Sequence, residues 1–239
     1  VKQIVMTPPR VTPQQAWDEM ALGNARFVSG GQQHPHQDAQ RRGQLSDGQN
    51  PDTALFGCSD SRLAAEIIFD RGLGDLFVIR NMGHIVAESI VASLEFAVAE
   101  LGCALIIVLA HDSCGAVKAA INLSTDSPAA MPPAVEQTLQ PVLPAVQQVW
   151  LAENSDTPYV DPAKIDPDRA GRRHLQLTVN TLLHSSVILK DAVAAGKLGI
   201  VGLQYALDDG VVHPICAVGP LNIDDLGARN KQDSPRETT

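Results

Sequence analysis

The sequence predicts an α/β fold: a mainly parallel β-sheet of about four strands with an antiparallel edge strand, flanked by helices and preceded by an N-terminal helical arm. Three observations predict it. From residue 53 onward, short apolar runs alternate with stretches of helical period, the pattern of strand–helix crossover units. One run, ALIIVLA at residues 104–110, is apolar without alternation, as a central parallel strand covered on both faces must be. The last two runs, 198–206 and 211–218, are joined through Asp208-Asp209-Gly210, a hairpin turn that makes the final strand antiparallel.

Taken in order, residues 1–11 read as a flexible arm. Thr12, Pro13 and Gln15 then mark a helix start, with Thr12 as cap, Pro13 at the first position and Gln15 closing a capping box. Trp17, Met20, Ala21, Phe27 and Val28 recur at helical spacing, and Gly30-Gly31 ends the run. Residues 12–31 are expected to be an amphipathic dimerisation arm. Residues 32–52 are polar surface chain with a short helix near 40–45, and His34 and His36 are expected to be solvent-exposed there. Residues 53–57 form a strand, 64–70 a short helix, 76–80 a second strand and 86–101 a helix stopped by Gly102. After the apolar run at 104–110 come a helix at 114–123, a mainly helical stretch at 135–154 despite Pro141 and Pro144, and a long helix at 168–195. Residues 12–223 therefore read as a single domain, and 224–239 as a mobile polar tail.

Composition narrows the function. At 239 residues with 44% apolar and 19% charged residues, the chain can bury a sizeable core. The net charge of −9 and the lack of basic runs argue against nucleic acid and anionic membrane surfaces as partners. No run of about 18 apolar residues exists, so no membrane insertion by this chain is expected. No secretory signal is read, and the start at Val1 fits a processed product or a domain of a longer protein. Cys58, Cys103, Cys114 and Cys216 sit in or beside apolar runs rather than at the spacing of a disulfide framework, which points to metal or catalytic use in a reducing cytoplasm.

Two short segments carry the chemistry. Gly57-Cys58-Ser59-Asp60-Ser61-Arg62 follows one predicted strand, and Ala110-His111-Asp112-Ser113-Cys114-Gly115 follows another. Zinc takes thiolate and imidazole ligands in tetrahedral geometry, and a catalytic site keeps one position open. His111 and Cys114, three apart where a strand turns into a helix, can reach one ion, and the helix start favours a thiolate at Cys114. Cys58 supplies a third ligand if the two strand ends meet, leaving the fourth position to water or to Asp60. Cys103 and Cys216 lack polar company and read as core. His84, His174, His184 and His213 lack ligand spacing. Asp60 and Arg62 also fit a plain surface ion pair, and Asp112 a helix cap.

CSDSR and HDSCG, with the surrounding EIIFDRGLGDLFVIRNMGH and SLEFAVAELG, resemble the β-class carbonic anhydrases of bacterial, actinobacterial type, over most of the chain from about Trp17 to Val218. The resemblance implies zinc held by Cys58, His111 and Cys114, and reversible hydration of carbon dioxide to bicarbonate and a proton by zinc-bound hydroxide. It implies a dyad in which Arg62 holds Asp60 off the metal while Asp60 orients the zinc-bound water. If the pair breaks, Asp60 becomes the fourth ligand of a closed state. It places Gln49, donated to the neighbouring subunit, and Phe77, Phe96 and Gly115 in the substrate pocket, with Phe96 standing where the family often has tyrosine. Arg80 and Tyr205 match two of the three residues of an inhibitory bicarbonate site, and Leu55 departs from its tryptophan. A homodimer or a dimer of dimers follows. Two other functions fit the residues: a thiol hydrolase with Cys58 as nucleophile and His111 as base, and a catalytically silent or regulatory zinc-binding domain of a transporter-linked protein.

Overall fold

The structure is a computed structural model that describes residues 6–154 and 156–223. Part of the expected arm (residues 1–5) and the expected tail (224–239) lie outside the described residues. Five strands form one sheet: β1 (Thr53–Cys58), β2 (Leu76–Asn81), β3 (Leu105–His111), β4 (Gly199–Tyr205) and β5 (Val212–Val218). Their spatial order is β2-β1-β3-β4-β5, with β5 antiparallel to β4 and every other pair parallel. The chain moves outward from β1 to β2, then returns past β1 to place β3 on its other side. That reversal opens a crevice at the carboxyl ends of β1 and β3, the usual place for a ligand in an open α/β sheet.

Helices cover both faces because the central strands are apolar on both. Leu55, Leu105, Ile107, Leu109, Val201 and Leu203 pack under α1 (Pro13–Ser29), α5 (Gly115–Leu123) and α7 (Leu143–Leu151). Ala54, Phe56, Ile106, Val108, Ala110 and Ile200 pack under α4 (Glu88–Ala99), α8 (Pro167–Ser185) and α9 (Val187–Ala194). The shorter α2 (Ala39–Gln44), α3 (Ala65–Ile68) and α6 (Pro133–Leu139) lie in the connections. Each fully buried large side chain, such as Phe56, contributes roughly 1.5–3 kcal/mol of transfer free energy. No helix among the described residues is long and apolar enough to cross a membrane.

The capping box predicted for α1 is formed: Thr12 Oγ1 accepts from the Gln15 N–H at 3.2 Å, and Gln15 Oε1 accepts from the Thr12 N–H at 2.9 Å. Gly30 ends the helix in the left-handed region. Of the apolar stripe of α1, Trp17 (2% exposed), Met20 (0%) and Ala21 are buried within its own chain and Phe27 is half-buried, while Val28 faces outward with Leu22. Gly23 allows the close approach, since a Cβ there would lie 1.9 Å from the Phe69 carbonyl oxygen. Buried Asn24 secures it, donating to the Ile68 and Gly210 carbonyls and accepting from the Val212 N–H. Asn24→Ala strands three backbone groups and should cost about 3 kcal/mol, read as a lower denaturation midpoint at unchanged slope.

Asp70 makes a second pin. Burial pushes its carboxyl up, yet the N–H groups of Gln33 and His34 and the Arg26 guanidinium, 2.5 Å away, together bring it below the usual carboxylate range. A depressed folded pKa stabilises the fold above the unfolded value of about 3.9, and that stability is lost as the pH falls through the folded value. Asp70→Asn should therefore destabilise by about 2 kcal/mol at pH 7, with a gap to the wild type that closes below about pH 4 in thermal melts.

One helical expectation is corrected, and a second is refined. The long helix expected over 168–195 is two helices. Ser186 is extended, accepts from the Leu189 N–H as the cap of α9, and donates to Glu95 at 2.6 Å, so its hydroxyl opens a new helix instead of continuing the old one. The run over 135–154 is interrupted by a 3-10 turn, Gln140–Val142, where Pro141 has no N–H to donate.

Candidate metal centre

Cys58 is the last residue of β1 and His111 the last of β3, and these strands are hydrogen-bonded neighbours. A short turn beyond His111 the chain enters α5, with Cys114 as its N-cap. Adjacent strand ends and a helix start thus bring two thiols and an imidazole together. One ligand atom from each of Cys58, His111 and Cys114 lies within 4.8 Å of the others, and all three residues are buried. They are the one such group of three among the described residues.

The donors suit a zinc ion. His111 Nδ1 donates to the Asp112 carbonyl at 2.7 Å, which directs the Nε2 lone pair inward, and Nε2 is buried without a hydrogen-bond partner. A ligand imidazole anchored through its other nitrogen has this arrangement. The Cys114 thiol beside Cys58 holds Cys58 below the usual thiol range against the effect of burial, while that same contact and burial push Cys114 up. Burial works against a charged His111, but the neighbouring Cys58 raises it overall. Thiols give up their protons to a divalent cation that binds them, so metal binding here would be coupled to proton release.

Asp60 stands beside this group, its Oδ2 3.8 Å from His111 Nε2. Arg62 grips it in a fork: Nε donates to Oδ1 at 2.9 Å, Nη2 to Oδ2 at 2.7 Å, and the Arg62 backbone N–H to Oδ1 at 3.0 Å. The guanidinium holds the Asp60 carboxyl well below the usual carboxylate range. Among the remaining candidates, Phe77 and Phe96 have ring centroids 6.1 Å apart, and Phe96 is 47% exposed. Gly115 opens α5 with open space where a Cβ would stand. Gln49 is exposed in the segment before β1.

Other residues that hold the site had no signal at sequence level as supports. Arg80, which the family resemblance pairs with Tyr205, donates to the Cys58 carbonyl at 3.0 Å and to the Asp60 carbonyl at 2.5 Å, fixing the loop that carries both. Asp112 is not a helix cap: its carboxylate accepts from the Leu207 N–H, tying the His111 loop to the exit of β4. Asn81 donates to and accepts from the Ile85 backbone, shaping the turn Met82–His84 beneath Cys58. Gly83 in that turn has φ 71° and packs on α5, where a Cβ would lie 2.7 Å from the Ala116 Cβ. His84 and His174 stack with centroids 4.6 Å apart and are both buried. Burial pushes both rings down from the usual imidazole range. Cys103 is buried, which pushes its thiol up to about 12, as suits a core residue.

The chain is similar to known proteins over most of its length. The carbonic anhydrase family model matches residues 53–212. Carbonic anhydrase 2 of Mycobacterium tuberculosis (strain CDC 1551 / Oshkosh) is 42% identical over 203 residues, covering 84% of this chain and 92% of that protein. Carbonic anhydrase of Mycolicibacterium smegmatis is 40% identical over 205 residues, covering 86% and 94%. Among solved structures, tetrameric β-carbonic anhydrases from Sordaria macrospora superpose with a TM-score of 0.61 at 24% identity, over 86% of this chain and 99% of that one.

Proposed function

The chain belongs to the β-class carbonic anhydrases, and on that premise we propose that it hydrates carbon dioxide reversibly at a zinc ion held by Cys58, His111 and Cys114, with Asp60 and Arg62 as an orienting dyad. The observation that carries the reading is the meeting of three convergent donors, one of them an orphaned imidazole nitrogen, with a carboxylate clamped just short of them. When bound, zinc supplies the Lewis acidity that makes water acidic near neutral pH, a property for which carbonic anhydrases are themselves the reference case.

The protein groups do the rest. The fork from Arg62 keeps both Asp60 oxygens engaged, so the carboxylate stays ionised and does not swing onto the ligand cluster. Oδ2 then accepts a hydrogen bond from the attacking water and fixes the direction of its lone pair, a positioning role. Loss of the fork would free Asp60 to reach the fourth position and close the site. Phe77 and Phe96 are assigned as an apolar wall for carbon dioxide, and the Gly115 N–H, at the start of α5, as a donor to the oxygen that would gain charge as bicarbonate forms. Gln49 completes the pocket of the neighbouring subunit in a homodimer or dimer of dimers. Buried free thiols at the centre suit a reducing cytoplasm.

The test is stopped-flow carbon dioxide hydration with parallel zinc analysis. The expected result is one zinc per chain and a rate far above buffer that chelation abolishes. A zinc-loaded chain with no rate above buffer would point to a silent domain. Hydrolase activity that survives zinc removal would point to Cys58 acting as a thiol nucleophile, which its lowered pKa would permit.

A further inference from the structure

One helix holds both the turn that carries His111 and Cys114 and the turn that lies beneath Cys58. The Asp168 carboxylate, in the first turn of α8, accepts at 2.9 Å from the N–H of Ser113, between His111 and Cys114. Nearly two turns along the same helix, His174 Nε2 donates at 2.9 Å to the carbonyl of Gly83, in the turn beneath Cys58. His174 Nδ1 has no partner, so the Nε2–H tautomer makes this bond. Both turns contain backbone that L residues rarely adopt, with φ of 50° at Ser113 and 44° at His84. Such conformations persist when their surroundings over-determine them. Neither bond is local: the partners lie 55 and 91 residues apart in sequence.

We infer that Asp168 and His174 are positioning residues for the metal centre, clamping the Ser113 and Gly83 turns so that Cys58, His111 and Cys114 converge before an ion arrives. The inference rests on the zinc reading above. Asp168, in the first turn of α8, serves as a fixed acceptor for the Ser113 N–H. His174 is buried, and its Nε2–H is engaged by the Gly83 carbonyl, so it serves as a fixed donor rather than a ligand. Preorganisation of this kind slows metal loss, because a ligand that leaves the ion is held within reach of it. Removal of outer supports of ligands typically weakens metal binding by about 10–100-fold.

The test uses the full chain loaded with cobalt(II), whose thiolate charge-transfer and d–d bands report ligand geometry, together with the rate of zinc loss to a chelator. Asp168→Ala and His174→Phe remove the acceptor and the donor. Asp168→Asn and His174→Gln keep a carbonyl acceptor and an N–H donor. The expected result is about tenfold faster zinc loss and altered cobalt bands in the first pair, with the second pair near wild type. A merely structural role would lower the melting temperature in all four without this split. Zinc loss within twofold of wild type in Asp168→Ala and His174→Phe, with unchanged spectra, overturns the inference. If those variants fail to fold, amide exchange in the wild-type chain decides: the Ser113 N–H should be protected, and free exchange there overturns the clamp. A wild-type chain that takes up no cobalt overturns the zinc reading itself, and the clamp with it.

Discussion

The Cys114→Ala variant is expected to lose zinc and activity together. Cys114 is one of three donors within 4.8 Å of each other, and its thiol also stabilises the Cys58 thiolate. Its removal leaves two donors and weakens the partner that remains. Binding free energy at such sites is spread over few ligands, so affinity should fall by at least about a thousandfold. Metal analysis after gel filtration should find far less than one zinc per chain, and hydration should fall to the rate of buffer. The side chain makes no capping hydrogen bond to α5, so the helix should survive, as circular dichroism would show. Full zinc occupancy in this variant would mean that another group had replaced the thiol. Asp60 is the nearest candidate, and it would first have to leave Arg62.

Asp60→Ala should behave differently. All three donors remain, so zinc should stay at one per chain. What is lost is the acceptor that directs the attacking water, and a misplacement of about 1 Å in a reacting group costs about 100-fold. Turnover should therefore fall by about that factor in stopped-flow assays. Unchanged turnover would remove the dyad from the mechanism. Arg62→Ala makes a sharper comparison. It leaves the Asp60 carboxylate in place but frees it, 3.8 Å from His111 Nε2, to compete for the open position. It should also be slow, and a second replacement, Asp60→Ala in the Arg62→Ala background, should slow it little further, because the two residues act as a unit.

These expectations divide according to how far apart the interacting residues lie in sequence. The capping box of α1, the doubly covered β3 and the β4–β5 hairpin were legible because each is encoded within one short window. So were the ligand candidates: thiolates, imidazole and paired Asp and Arg announce their chemistry wherever they stand. The break at Ser186 was not legible, because periodicity runs straight through it. It depends on a hydroxyl that meets Glu95, 91 residues away. The α1 stripe was legible as apolar, yet not where it packs, since Gly23 and Asn24 reveal their purpose only against Phe69 and the β5 edge.

By itself the sequence determined that the chain is a mainly parallel α/β protein with a Cys–His–Cys donor set and an Asp–Arg pair. Period, turn chemistry and donor type are properties of neighbouring residues, and no fold is needed to read them. Only the tertiary structure decided that β1 and β3 adjoin although β2 lies between them in the chain, so that Cys58 meets His111 and Cys114. It also decided that Asp60 is gripped by Arg62 while Arg80, Asp168 and His174 hold the loops around it. Those contacts arise from strand order and helix docking, which are settled by burying the whole core at once rather than by any local stretch.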